Sequence, residues 1–101
     1  MYRQGDVLIE VAEIPGGLAP KSIAERGAVL AAGEATGHAH IATGVDIELY
    51  EDATGTLWLK CPHGSNVTHE EHGQIALPVG TYKITRQREW SDDDEPRQVA
   101  D

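Results

Sequence analysis

Val45-Asp46-Ile47-Glu48-Leu49-Tyr50, then Glu51-Asp52-Ala53-Thr54-Gly55, then Thr56-Leu57-Trp58-Leu59-Lys60: the reading of residues 45–60 decides the fold. In the first segment Val45, Ile47 and Leu49 fall on one face at period two, which is the pattern of a half-buried strand. The second segment is rich in Asp, Thr and Gly, which turn the chain through local hydrogen bonds and left-handed backbone. The third returns as an apolar run with Trp58 inside it, so the stretch reads as a β-hairpin. A lone hairpin is marginal in water, and the rest of the chain must supply further strands.

It does so on both sides. Val7, Ile9 and Val11 alternate with Asp6, Glu10 and Ala12 until Pro15-Gly16-Gly17 ends the run. Leu18 to Lys21, with Pro20, reads as a surface loop; Ala28 to Ala32 reads as a short buried strand closed by Gly33, and His38 to Ala42 as the next. Beyond the hairpin, Pro62 and Gly64 break the strand. Asn66-Val67-Thr68, Gln74 to Leu77 and Thr81 to Arg86 complete the set, with Pro78-Val79-Gly80 as a tight turn. No segment before residue 91 has a helical period. Seven or eight short strands at roughly 8–12-residue spacing predict an all-β domain, a small antiparallel β-barrel or sandwich spanning residues 1–90. Ser91 and the acids after it make 91–101 an acidic tail, a short helix capped by Ser91 or a frayed end.

Composition fits one small domain. The chain has 101 residues and a net charge of −9, of which the tail carries −4. Leu, Ile and Val number 7 each and Phe is absent, so the core is aliphatic and thin. A thin core and the open edges of short strands lead to an expectation of homo-oligomers, with Tyr2 or Trp90 in the contact. The acidic balance argues against nucleic acid, whose nonspecific affinity rests on Lys and Arg. No stretch has the length and apolar character of a membrane span or export signal, and the single Cys61 excludes an internal disulfide. The expected location is the cytoplasm.

The five histidines, His38, His40, His63, His69 and His72, all lie within residues 38–72. His38-Ala39-His40 on a strand places two imidazoles on one face, about 6–7 Å apart. That is near enough to share an ion at about 2.0–2.1 Å per bond. His69-Glu70-Glu71-His72 brings its histidines together only in a helical or turn conformation, and Gly73 favours the turn. Packed against the Ala39 strand, that turn gathers His38, His40, His69 and His72 with Glu34, Glu70 or Glu71. Imidazole and carboxylate suit a divalent metal such as Zn, Fe, Mn or Ni. His63, in Cys61-Pro62-His63, reads as a strand-end turn.

The same residues allow chemistry without a metal. His38 with His69 or His72, titrating near neutrality, can exchange protons as general base and acid, with Glu70 beside them. Thr36-Gly37 then offers a hydroxyl and an N–H to an oxyanion, unless it is only a turn. At the end of the body, Arg86, Arg88 and Trp90 share a strand face. They form a stripe that binds an anionic ligand or a partner protein, or that pairs with the domain's own acids, which is the reading preferred here.

Arg3-Gln4-Gly5-Asp6-Val7-Leu8-Ile9, Gly33 to His40, Thr68 to His72, Leu77 to Tyr82 and Arg86 to Trp90 together resemble a family of small, largely uncharacterised bacterial proteins. The resemblance spans nearly the whole chain and implies no activity. A weaker one is to the cupins, β-barrels that hold a metal with three histidines and a glutamate. Four residues separate Gly33 from His38 where cupins have five, Gly44 or Val45 takes the place of the glutamate, and Lys83 that of the last histidine. A cupin-like centre would have to use His69, His72 or Glu34 instead. The expected function is therefore metal binding at the histidine cluster, with metal-assisted hydrolysis or oxidation of a small molecule. The alternatives are a non-catalytic binding or assembly module, and a metal-free, histidine-dependent phosphodiester-cleaving enzyme.

Overall fold

The structure is a computed structural model that describes residues 1–32 and 37–86. Ten strands lie in these residues: β1 Tyr2–Gln4, β2 Val7–Val11, β3 Pro20–Lys21, β4 Ala28–Ala32, β5 Ala39–Thr43, β6 Glu48–Glu51, β7 Leu57–Cys61, β8 Ser65–Thr68, β9 Ile75–Leu77 and β10 Gly80–Arg86. No helix occurs among the described residues, and none is long and apolar enough to cross a membrane. All pairings between these strands are antiparallel. They build a six-stranded sheet in the order β1-β2-β10-β7-β6-β3 and a four-stranded sheet in the order β4-β5-β8-β9.

The core lies where the two sheets meet. Val7, Ile9, Leu49, Leu59, Cys61, Tyr82 and Ile84 come from the larger sheet and Ala28, Leu30, Ala42, Val67 and Leu77 from the smaller, all buried in one cluster. Alternation in β2 and β10 sends every second residue into this layer. The all-β expectation holds, and its sandwich form with it. Among the described residues the strands form two separate sheets and no closed barrel, because the chain changes sheet at tight connections instead of continuing one hydrogen-bonded ladder.

Those connections also correct the sequence reading. Val45 is 65% exposed and lies in a turn with Asp46, whose φ of 58° carries the chain from β5 in one sheet to β6 in the other. The first arm of the hairpin thus begins at Glu48, although Ile47 still packs on the core. Pro20–Lys21, read as loop, is an edge strand paired with Tyr50 and Leu49. Val11, expected to face inward, is 76% exposed at the end of β2. Residues 62–79 leave β7, form β8 and β9 in the smaller sheet, and return as β10 beside β7. Gly64 permits the departure: its φ is 85°, and a Cβ there would lie 3.0 Å from the Leu77 carbonyl oxygen.

Candidate functional site

One end of the sandwich collects most of the residues that carry chemistry. Four segments meet there: the turn between β1 and β2, the entry to β5, the connection from β8 to β9, and the end of β10. β4 makes room through a register shift between Val29 and Ala31, opposite His40 and Ile41. Bulges of this kind re-aim side chains next to sites.

The turn of residues 69–72 packs against the start of β5. Glu70 Oε1 accepts the Ala39 N–H at 3.0 Å, and His38 Nδ1 lies 3.1 Å from Glu71 Oε1. His69 is central. Its ring centroid is 4.3 Å from that of His40, 4.7 Å from His72 and 5.6 Å from His38. Ligand atoms of His38, His69 and Glu70 lie within 4.8 Å of one another. The Glu70 carboxyl is held below its ordinary range, first by the Ala39 N–H, then by its own backbone N–H, with the nearby imidazoles of His38 and His69 adding to them against a small opposing effect of burial. It is an anion at neutral pH.

His40 is buried, 2% exposed, on the same face of β5 as the core residue Ala42. Its Nδ1 lies 2.9 Å from Gln4 Oε1. The Gln4 amide has one orientation available, because its Nε2 donates to the carbonyls of Val67 at 3.1 Å and Gly73 at 2.8 Å. Gln4 Oε1 can only accept, so His40 Nδ1 carries a hydrogen and donates. His40 Nε2 is then turned toward Asp6 Oδ1 at 3.5 Å. The other oxygen of Asp6 accepts from Arg86 Nε at 2.6 Å, and Arg86 also donates to the Ala32 carbonyl.

His38, His40, His69, His72, Glu70 and Glu71 thus stand together as the spacing predicted, with one difference. His38 precedes β5, so it does not share a regular strand face with His40. Arg86 pairs with the domain's own acid, the preferred of its two readings. Glu34, Thr36, Arg88, Trp90 and the 91–101 tail lie outside the described residues. His63 is exposed at the other end of β5, beside a shallow cavity of about 340 Å³ and 3.6 Å from Asp46. Burial pushes the Cys61 thiol up to about 11, so it offers no thiolate near neutrality. Gln4 and Asp6 are site residues that the sequence reading missed. Alternation placed Asp6 on the polar face of β2, whereas it is 7% exposed.

The fold and this end of it define a small all-β sandwich with a histidine–carboxylate cluster between its sheets. The chain belongs to the family described as Domain of unknown function (DUF8820), whose sequence profile matches residues 3–87. Comparison with curated proteins and with solved structures gives no significant match.

Proposed function

We propose that the protein binds one divalent transition-metal ion at His38, His69 and Glu70, and that this centre acts on a small molecule by hydrolysis or oxidation. The observation that carries the reading is the approach of those three ligand atoms to within 4.8 Å. Ligands of a tetrahedral ion stand about 3.3–3.5 Å apart, so side-chain rotation of about an ångström closes the set. Two imidazoles and a carboxylate leave coordination positions open, as in sites that activate water or oxygen. Glu70 is exposed and His38 half-buried, which gives a small molecule access.

His69 Nδ1 accepts the Glu71 N–H at 3.0 Å, so its neutral ring carries the proton on Nε2. Taking an ion at Nδ1 exchanges that backbone contact for a metal bond, and taking it at Nε2 moves the ring proton to Nδ1, which likewise ends the contact with the Glu71 N–H. The same hydrogen bond supports a metal-free reading, in which the Nε2–H of His69 donates to a substrate. Elemental analysis separates the two. Protein purified without chelators should hold metal, and zinc at 100 times its Kd should add about 2.7 kcal/mol of stability. That is on the order of 10–20 °C in Tm for a domain of this size. His69→Ala should abolish the part of the gain that comes from this centre. A protein without metal, whose Tm does not respond to Zn, Fe, Mn or Ni, overturns the metal reading.

A further inference from the structure

The turn of residues 69–72 is closed on itself by a single bond. The Glu71 N–H donates to His69 Nδ1 at 3.0 Å, two residues back along the chain. Among the described residues it is the only hydrogen bond that joins one residue of this turn to another. The carboxylates of Glu70 and Glu71 reach outward instead, to the Ala39 N–H and to His38. The turn is anchored at its margins: Thr68 pairs with Ile41 in the β5–β8 ladder, and the Gly73 carbonyl accepts from Gln4 Nε2 at 2.8 Å.

An ion at His69 does not leave the closing bond in place. A neutral imidazole has one hydrogen and one accepting nitrogen. Accepting from Glu71 uses Nδ1 and keeps the hydrogen on Nε2. An ion at Nδ1 takes the electron pair that receives the Glu71 N–H. An ion at Nε2 moves the ring hydrogen to Nδ1, where it faces the Glu71 N–H as a second donor. Either way, a loaded ring and a closed turn exclude one another.

The closed turn also carries an unsatisfied group. The buried Nε2 of His72 makes no hydrogen bond among the described residues, and its ring packs against Gly5. Buried polar atoms are nearly always partnered, and leaving one without a partner is costly. His72 ends the same turn, with its ring centroid 4.7 Å from that of His69. A rearrangement of 69–72 that lets this nitrogen meet water removes a cost that the closed form bears.

We infer that residues 69–72 are a metal-responsive latch, closed in the metal-free protein by the Glu71 N–H on His69 and opened when an ion binds His69. The latch rests on the metal reading of this centre and adds to it what binding changes in the protein. Glu70 and Glu71 are exposed, so the surface at this end of the sandwich differs between empty and loaded forms. The anchors at Thr68 and Gly73 confine the change to the turn.

The exchange of the Glu71 amide hydrogen with water, followed by magnetisation-transfer nuclear magnetic resonance at pH 7, tests the latch when zinc content per chain is measured alongside. In wild type, saturating zinc should speed this exchange about fivefold, as the loss of one ordinary hydrogen bond predicts. The Gly55 amide, which donates to Asp52 in the distant β6–β7 turn, should change less than about twofold. His69→Asn replaces the ring by a side chain that accepts from the N–H two residues on, so its Glu71 amide should exchange slowly with or without zinc. His69→Ala offers no acceptor, and its Glu71 amide should exchange fast without zinc and not respond to it. Two outcomes overturn the latch while leaving the metal reading intact: zinc taken up through His69 with less than about a twofold change at Glu71, or a metal-free His69→Ala protein whose Glu71 amide exchanges as slowly as in wild type. Wild type that takes up no zinc overturns both. The wild-type comparison needs no substitution, so it decides even where a variant disturbs the fold.

Discussion

Asp6 and Asp52 each sit at a turn between adjacent antiparallel strands, yet their carboxylates are treated in opposite ways. Asp52 is saturated by its own turn. Its Oδ1 accepts the Thr54 hydroxyl at 2.6 Å, the Thr54 N–H at 2.9 Å and the Thr56 N–H at 3.1 Å, and its Oδ2 accepts the Trp58 indole N–H at 3.1 Å. The Thr54 hydroxyl is the main reason its pKa falls to about 2; the Trp58 indole and the backbone of Thr54 and Thr56 add to it against a cost of burial. Asp6 draws nothing from its own turn. Its one hydrogen bond comes from Arg86, 80 positions away, and its other oxygen has no hydrogen bond among the described residues. A carboxylate satisfied locally shapes a turn, while one held from afar by a single oxygen is oriented toward something else.

The contrast is broken most directly at Asp6. Asp6→Ala removes a short charged hydrogen bond and leaves Arg86 and His40 without the anion they face, which should cost about 2–3 kcal/mol. Urea denaturation at pH 7 measures it; a loss under about 0.5 kcal/mol would mean that the Arg86 contact does not hold this end of the sandwich. Next in size is Gly5→Ala. Its φ of 58° is left-handed, and its Cβ meets His72 Nε2 at 2.8 Å. An alanine there should cost about 1–2 kcal/mol from backbone strain, and the ring of His72 should move. Nuclear magnetic resonance of the histidine ring protons should show a shift larger for His72 than for His63.

The smallest effect sharpens the other half of the comparison. Because the folded-state pKa of Asp52 lies below its ordinary 3.8, the folded protein releases this proton more readily than the unfolded chain. Its contribution is complete above pH 3.8 and is lost as pH falls through about 2. Asp52→Asn should therefore flatten the acid limb of stability between those values and leave stability at pH 7 with little further pH dependence. Thermal unfolding from pH 2 to 5 checks this, and an acid limb identical in both proteins would remove Asp52 as its source.

The same contrast explains what could be read in the sequence. The Asp52 turn, the β6–β7 hairpin and the inward face of β2 at Val7 and Ile9 follow from neighbours along the chain, so period and turn chemistry reveal them. The pairing of His38-x-His40 with His69-x-x-His72 was also legible, because four histidines at such density suggest one centre. Pro20–Lys21 was not, since two residues without alternation become a strand only through Leu49 and Tyr50. The exposure of Val45 was hidden because period two persists through a turn that changes sheets. Gln4 and Asp6 were hidden for a deeper reason. Their partners are His40, Val67, Gly73 and Arg86, and nothing local distinguishes a buried Gln or Asp from a solvated one before those partners arrive.

The pairing of β10 with β2 places Arg86 beside Val7 and so brings the two ends of the strand set together. During synthesis all four clustered histidines leave the ribosome before the strand that completes their surroundings. A nascent chain that stops short of Arg86 carries the imidazoles but lacks the arginine that orients Asp6, and β2 has yet to gain its inner neighbour. Assembly of this end of the molecule therefore reports that synthesis has passed Arg86, and a chain truncated before it would present its histidines without the arginine that holds Asp6.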